Sequence, residues 1–236
     1  LELNASAGGS VSGKGNYTLG QGVPITATPE SGYSFVNWEI NGTLDFAITA
    51  ATRQYDASAP ALYVNGKENP PLTLVRGNVY QFNLDGSTTI GHPFYFSEDS
   101  SGGGNSYLGE YTTGVANSQF ESGTVSIIVD DNTPSTLYYY CGNHSGMGNS
   151  IIVVDATGFV ADLNTSPTTA EANASYALRA NFSLNQHLLT VNAGAGGSAS
   201  NEGSHYYDTN ASITATPDAG YVFTNWSGLG IADQSA

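Results

Sequence analysis

The sequence predicts an all-β protein, and three observations carry that expectation. Only 11% of its 236 residues are charged, against 29 glycines and 15 tyrosines, a composition that suits short strands joined by many turns. Short apolar runs such as Val125-Ser126-Ile127-Ile128-Val129 and Ile151-Ile152-Val153-Val154 are set apart by Gly, Asn, Asp and Ser clusters, which punctuate strands. The chain also repeats itself: a constant offset of 188 residues, with no gaps, lays Leu1 onward on Leu189 onward.

The repeat sets the expected domain order. Ala7-Gly8-Gly9-Ser10 falls on Ala195-Gly196-Gly197-Ser198, and Ile25-Thr26-Ala27-Thr28-Pro29 falls on Ile213-Thr214-Ala215-Thr216-Pro217. Gly32-Tyr33, Phe35 and Asn37-Trp38 fall on Gly220-Tyr221, Phe223 and Asn225-Trp226. Repeated short strands with glycine punctuation imply stacked β modules. Val160-Ala161-Asp162 matches Ile231-Ala232-Asp233, yet follows Trp38 only after a long detour. Trp38 to Ala161 spans 123 residues and Trp226 to Ala232 spans 6, an excess of 117; taken from the offset of 188, it leaves a repeat period of 71. The expected organisation is a discontinuous first module over residues 1–42 and 157–184, an inserted domain over 43–156, and a truncated second module over 185–236. Insertion at an exposed loop between nearby strand ends is a tolerated way to add a domain. Tyr176-Ala177-Leu178-Arg179-Ala180-Asn181-Phe182 then closes the first module. Trp38 and Trp226, at equivalent positions, are expected in cores. His205 takes the slot of Tyr17 and reads as structural, while His187 reads as a linker residue without a partner.

Inside the insertion, Leu72-Thr73-Leu74-Val75 and Val79-Tyr80-Gln81-Phe82-Asn83-Leu84 flank Arg76-Gly77-Asn78, a hairpin signal. Phe94-Tyr95-Phe96 continues from His92. The pair Asp130-Asp131 after the Val125–Val129 run reads as a turn cap, since no further spacing of calcium ligands accompanies it. In the run from Thr136 to Cys141, alternation puts Leu137, Tyr139 and Cys141 on one face and Tyr138 and Tyr140 on the other. Ile151 to Val154 closes a sandwich. The Gly/Ser-rich segment from Ser100 to Asn105 reads as a mobile loop.

The chemistry concentrates after that Tyr-rich strand. Tyr139-Tyr140-Cys141-Gly142-Asn143-His144-Ser145-Gly146-Met147-Gly148 holds the only cysteine, the only methionine and one of four histidines. Gly91-His92-Pro93-Phe94 supplies a second imidazole next to another strand. Two histidines, a cysteine and a weak axial methionine are the ligand set of a blue-copper electron-transfer centre. Cu(I) favours the soft sulfurs and Cu(II) accepts imidazole, so one rigid mixed shell serves both states. Structural zinc seldom uses methionine and usually takes more thiolates. One cysteine excludes a two-cysteine dinuclear centre. A catalytic Cys–His pair lacks a third, orienting residue; a vestigial, metal-free site is the other alternative.

The pattern Tyr-Tyr-Cys-x-x-His-x-x-Met-Gly-x-x-Ile-x-Val, from Tyr139 to Val153, resembles the ligand loop of cupredoxins, and its Cys-x-x-His-x-x-Met spacing is similar to that of amicyanin-like members. The resemblance implies a Greek-key β-sandwich holding one type 1 copper through His92, Cys141, His144 and, more weakly, Met147. In azurin-like relatives a backbone carbonyl also approaches the metal, and Gly91 stands at that place as a weak axial carbonyl. Electrons would leave through His144. Many cupredoxins carry an asparagine after the first histidine that ties the ligand loops together; this chain has Pro93. The Ala-Thr-Pro-x-x-Gly-Tyr-x-Phe-x-x-Trp core of both modules resembles the divergent internalin-type B-repeat of large surface proteins.

Charge and composition bound the rest. A net charge of −15 with five Lys plus Arg leaves no basic cluster for nucleic acid, and would suit a basic redox partner, whose identity the residues do not reveal. No apolar run is long enough to span a membrane. No signal peptide is recognisable, so the sequence reads as an excised piece of a mature protein; the resemblance to surface repeats implies a secreted or cell-surface location. Repeat-mediated self-association or surface assembly is the other partner expectation. Nothing suggests substrate turnover, so the chain is not expected to be an enzyme. Nine Asn-x-Ser/Thr sequons fit a surface protein in a glycosylating source; at the one starting at Asn143, a glycan would obstruct His144.

Overall fold

A computed structural model describes residues 1–57, 59–104, 107–155, 157–228 and 230; Asn105, Ala156 and the Ile231-Ala232-Asp233 match lie outside the described residues. Every regular element among the described residues is a β-strand. The all-β class follows from turn-rich, alternating runs that bury one face each. In Gly22–Pro29, for example, Val23, Ile25 and Ala27 are buried and their neighbours are not, the period-two pattern of a half-buried strand.

Two sheets form a Greek-key sandwich. The larger runs Val115–Ala116, Gly123–Val129, Asn78–Leu84, Gly42–Thr52, Pro60–Val64 and Lys67–Glu68 in spatial order. The smaller runs Phe94–Ser97, Thr136–Cys141, Gly148–Val154 and Leu72–Val75. One core lies between them, with Phe46, Tyr80, Phe82 and Ile127 from the first sheet and Phe94, Phe96, Leu137, Tyr139 and Ile151 from the second. Phe82 is its hub, 5.1 Å from the Phe94 ring and 5.2 Å from those of Phe46 and Phe96.

The Arg76-Gly77-Asn78 turn does not make a hairpin. Leu72–Val75 pairs in parallel with Gly148–Val154, and Asn78–Leu84 pairs with Gly42–Thr52 and Gly123–Val129 in the other sheet. The turn is a corner between the sheets, held because Arg76 N–H donates to the Val154 carbonyl at 3.0 Å and Gly77 N–H to that of Val129 at 2.8 Å. The hairpin signal marks a turn correctly but carries no information on which sheet each arm joins.

A second core joins segments from both sides of the first sandwich, between Glu2 and Leu184. Glu2–Ala5, Ala177–Leu184 and Tyr33–Ile40 form one sheet; Thr168–Glu171, Gly22–Pro29 and Gly9–Ser12 form another. Leu3, Val23, Ile25, Trp38, Val160, Tyr176 and Leu178 pack together between them. Trp38 is 1% exposed and its indole N–H donates to the Thr165 carbonyl at 3.1 Å. Trp226 keeps the same tilt on its neighbouring phenylalanine, 56° on Phe223 against 58° for Trp38 on Phe35, but is only half-buried. His187 is not a linker residue: it lies in Gln186–Leu189, paired with His205 in Gly203–Tyr206. No helix among the described residues is long and apolar enough to cross a membrane.

Candidate metal centre

Strand pairing brings distant residues to one end of the sandwich. Cys141 ends Thr136–Cys141, and Phe94 is its partner across the antiparallel ladder. His92, two residues before Phe94, therefore arrives beside the cysteine. The loop from Cys141 to Met147 connects two antiparallel strands and is closed at its base by the Cys141 N–H, which donates to the Met147 carbonyl at 2.9 Å. Gly148 makes this closure sterically feasible. Its φ is +146°, and a Cβ there would stand 1.9 Å from the Tyr139 carbonyl oxygen.

Three donor atoms converge. His144 Nδ1 lies 3.4 Å from Cys141 Sγ, His92 Nδ1 lies 3.7 Å from it, and the two ring nitrogens are 3.1 Å apart. Among the described residues this is the one group of three His, Cys, Asp or Glu side chains close enough to hold a metal. Bonds of about 2.0 Å to imidazole and about 2.3 Å to thiolate span a triangle of these edges at angles of roughly 100–120°, a trigonal arrangement. The donor set therefore fits copper in the way its chemistry suggests. Met147 is fully buried in the core that contains Cys141.

Electrostatics prepares the ligands. Burial pushes the Cys141 thiol up, while the backbone N–H groups of Asn143 and His144 pull it the other way. His92 is held below the usual imidazole range by burial and by His144 beside it, with Glu121 opposing. Without metal the site at neutral pH is thus a thiol facing uncharged His92, and metal uptake must displace the thiol proton.

The supporting shell was invisible in the sequence. Asn143, noticeable there only as a sequon, donates its side-chain Nδ2–H to the Gly91 carbonyl at 2.9 Å, so the oxygen expected to approach the metal already accepts a hydrogen bond. Gly91 N–H donates to Glu121 Oε2 at 3.0 Å, and Gly142 N–H to the Pro93 carbonyl at 2.7 Å. Arg53 Nη2 donates to the Gly146 carbonyl at 2.5 Å, next to Met147. Within the Gly/Ser segment, Gly103 N–H donates to Tyr95 Oη at 2.7 Å and Gly104 N–H to the Cys141 carbonyl at 3.1 Å. Its glycines permit close approach, since a Cβ on Gly102 would fall 2.5 Å from the Tyr140 ring. Tyr138 and Tyr140 stack on the sheet's other face at 5.8 Å, as alternation predicts. Asp130 caps its turn by accepting from Asn132 N–H at 2.9 Å.

Comparison with known proteins adds two findings. The family model of the divergent InlB B-repeat domain matches residues 1–60 and 187–236. Among solved structures, a copper protein, rusticyanin, is similar over 48% of this chain and 78% of its own, at 21% identity and a TM-score of 0.32. Rusticyanin from Thiobacillus ferrooxidans gives 20% identity, 48% and 77% coverage and a TM-score of 0.28. A methionine-to-leucine variant of rusticyanin gives 16% identity, 64% and 99% coverage and a TM-score of 0.30. No curated protein matches the chain. The all-β assignment rests on the strand order itself, and the terminal modules are similar to the divergent InlB B-repeat.

Proposed function

We propose that residues 43–156 are a copper-binding module for one-electron transfer, inserted in the first of two B-repeat-like modules of an extracellular protein. One observation carries this reading: the lone cysteine and two histidines, 49 and 3 residues from it, converge with edges of 3.1, 3.4 and 3.7 Å. Copper held there by His92, Cys141, His144 and Met147 would pass single electrons between Cu(II) and Cu(I). The chain's own contribution is to keep that set still. The thiol is wholly buried, the loop base is closed by Cys141 N–H to the Met147 carbonyl, and the His92 loop is hydrogen-bonded to it at Pro93. His92 and His144 are half-buried, which gives the donor set a route to solvent while its sulfur stays dry; His144 is the proposed exit. Carrier chemistry needs no substrate pocket, and no enzymatic turnover is proposed.

The shared core of Leu3, Trp38, Tyr176 and Leu178 supports the insertion, because segments on both sides of the copper module build one sheet pair. A Cu(II) titration read by visible absorption tests the site. An intense blue band saturating at one copper per chain, absent in Cys141→Ala, is expected; a folded protein that gives no band would sink the reading. The B-repeat match favours a second reading, a structural or adhesive surface protein whose sandwich is a structural insert. Thermal stability unchanged by copper, together with no blue band, would favour it.

A further inference from the structure

We infer that Asn143 is a positioning residue that locks the two ligand loops together and withholds the Gly91 carbonyl from the metal. The inference rests on the copper reading above. Asn143 directly precedes His144, and Gly91 directly precedes His92. The 2.9 Å bond from Asn143 Nδ2–H to the Gly91 carbonyl therefore couples the backbone on the near side of both imidazoles. On the far side of His92, Gly142 N–H holds the Pro93 carbonyl at 2.7 Å. His92 is thus bracketed by two bonds from the Cys141–His144 loop, one from the backbone and one from a side chain. Pro93 has no N–H to offer, so the residue after His92 donates nothing across the loops. Gly91 is held at its other end too, with its N–H on Glu121 Oε2 at 3.0 Å and φ at +84°. The Gly91–His92 peptide itself is held at both ends, because His92 N–H donates to the Thr89 carbonyl at 2.9 Å, so its oxygen cannot turn freely.

That grip bears on the chemistry. A backbone carbonyl is a hard oxygen donor, at odds with the soft sulfur and imidazole set that suits Cu(I). A carbonyl that already accepts an N–H has less electron density and less freedom to approach a cation. Asn143 accordingly biases the site towards the His92, Cys141, His144 and Met147 set, and towards the reduced ion. Removing the donor frees the oxygen, favours Cu(II) and loosens the distance between the two Nδ1 atoms.

The test compares the whole chain with Asn143→Ala and Asn143→Gln, expressed without glycosylation and checked by near-UV circular dichroism for an intact fold. In the copper-loaded proteins, Asn143→Ala is expected to raise the Cu(II) to Cu(I) affinity ratio by about tenfold, a potential lower by about 59 mV for one electron. Its Cu(II) paramagnetic resonance spectrum should change, and Asn143→Gln, which keeps the donor, should recover part of both. In the metal-free proteins, amide exchange at Gly142 should quicken at least severalfold in Asn143→Ala. A potential, spectrum and exchange rate all equal to wild type would overturn the inference. If wild type takes up no copper, the copper reading fails by itself, and unchanged Gly142 exchange in Asn143→Ala then overturns the lock independently.

Discussion

At the scale of single residues, the site divides into donors that announce themselves and supports that do not. Cys141 and His144 were legible because scarce residue types fall at ligand spacing, and His92 because it adjoins a strand-like run; Met147 is buried in the same core as Cys141, and its part as a ligand belongs to the proposal. Asn143, Glu121 and Arg53 carry no such signal. They act through hydrogen bonds to the backbone of the other loop, and a backbone carbonyl leaves no mark in a sequence. Two outcomes belong here. Because burial holds Cys141 as a thiol and His92 uncharged, binding of Cu(II) at pH 7 should release about one proton per chain. Affinity should then rise with pH, about tenfold per unit, until the raised thiol pKa is passed; calorimetry in buffers of different ionisation enthalpy reads it, and a pH-independent affinity between pH 6 and 8 would contradict it. Gly148→Ala places a methyl against the Tyr139 carbonyl at a φ of +146°, and should cost roughly 2–4 kcal/mol in denaturant unfolding of the metal-free protein. A loss under half a kcal/mol would mean that the loop base is more plastic than its geometry implies.

Elements were easier to recognise than their partners. Alternation placed Leu137, Tyr139 and Cys141 on one face of their strand, and all three are fully buried in the core. The corner at Arg76-Gly77-Asn78 escaped the sequence because a two-strand signal is identical whether the arms pair together or part into two sheets. What fixes the corner is long-range. Tyr80 Oη accepts from Val75 N–H at 2.8 Å and donates to the Ser175 carbonyl at 2.9 Å, tying the strand before the corner to the strand after it and both to the second core. Tyr80→Phe strips a buried N–H and a carbonyl of their partner at once, so a loss of about 1–3 kcal/mol is expected. Equilibrium unfolding measures it, and a neutral substitution would show the corner to be held by packing alone.

The whole molecule is a chain of β units whose joints are built from small contacts. Tyr207 of the second repeat covers the Gly32 turn of the first, where a Cβ would meet its ring at 2.2 Å, and its hydroxyl lies 3.1 Å from Ser31 Oγ. Asn185 N–H adds a bond to the Gly32 carbonyl at 2.7 Å. The repeat alignment foretold two like modules but not this joint, because Tyr207 falls on Leu19 in the first copy and no pairing rule links it to Gly32. Tyr207→Ala should loosen the joint, seen as a larger maximum dimension in small-angle scattering with the blue band untouched; an unaltered profile would place the rigidity elsewhere. Electron transfer on copper is what separates the proposed carrier from a structural surface module, and voltammetry of the copper-loaded chain at neutral pH measures it. A reversible one-electron wave, retained over repeated cycles and lost in Cys141→Ala, is the predicted result. No wave, or release of copper at the first reduction, would contradict the claim and leave a structural insert in a surface repeat.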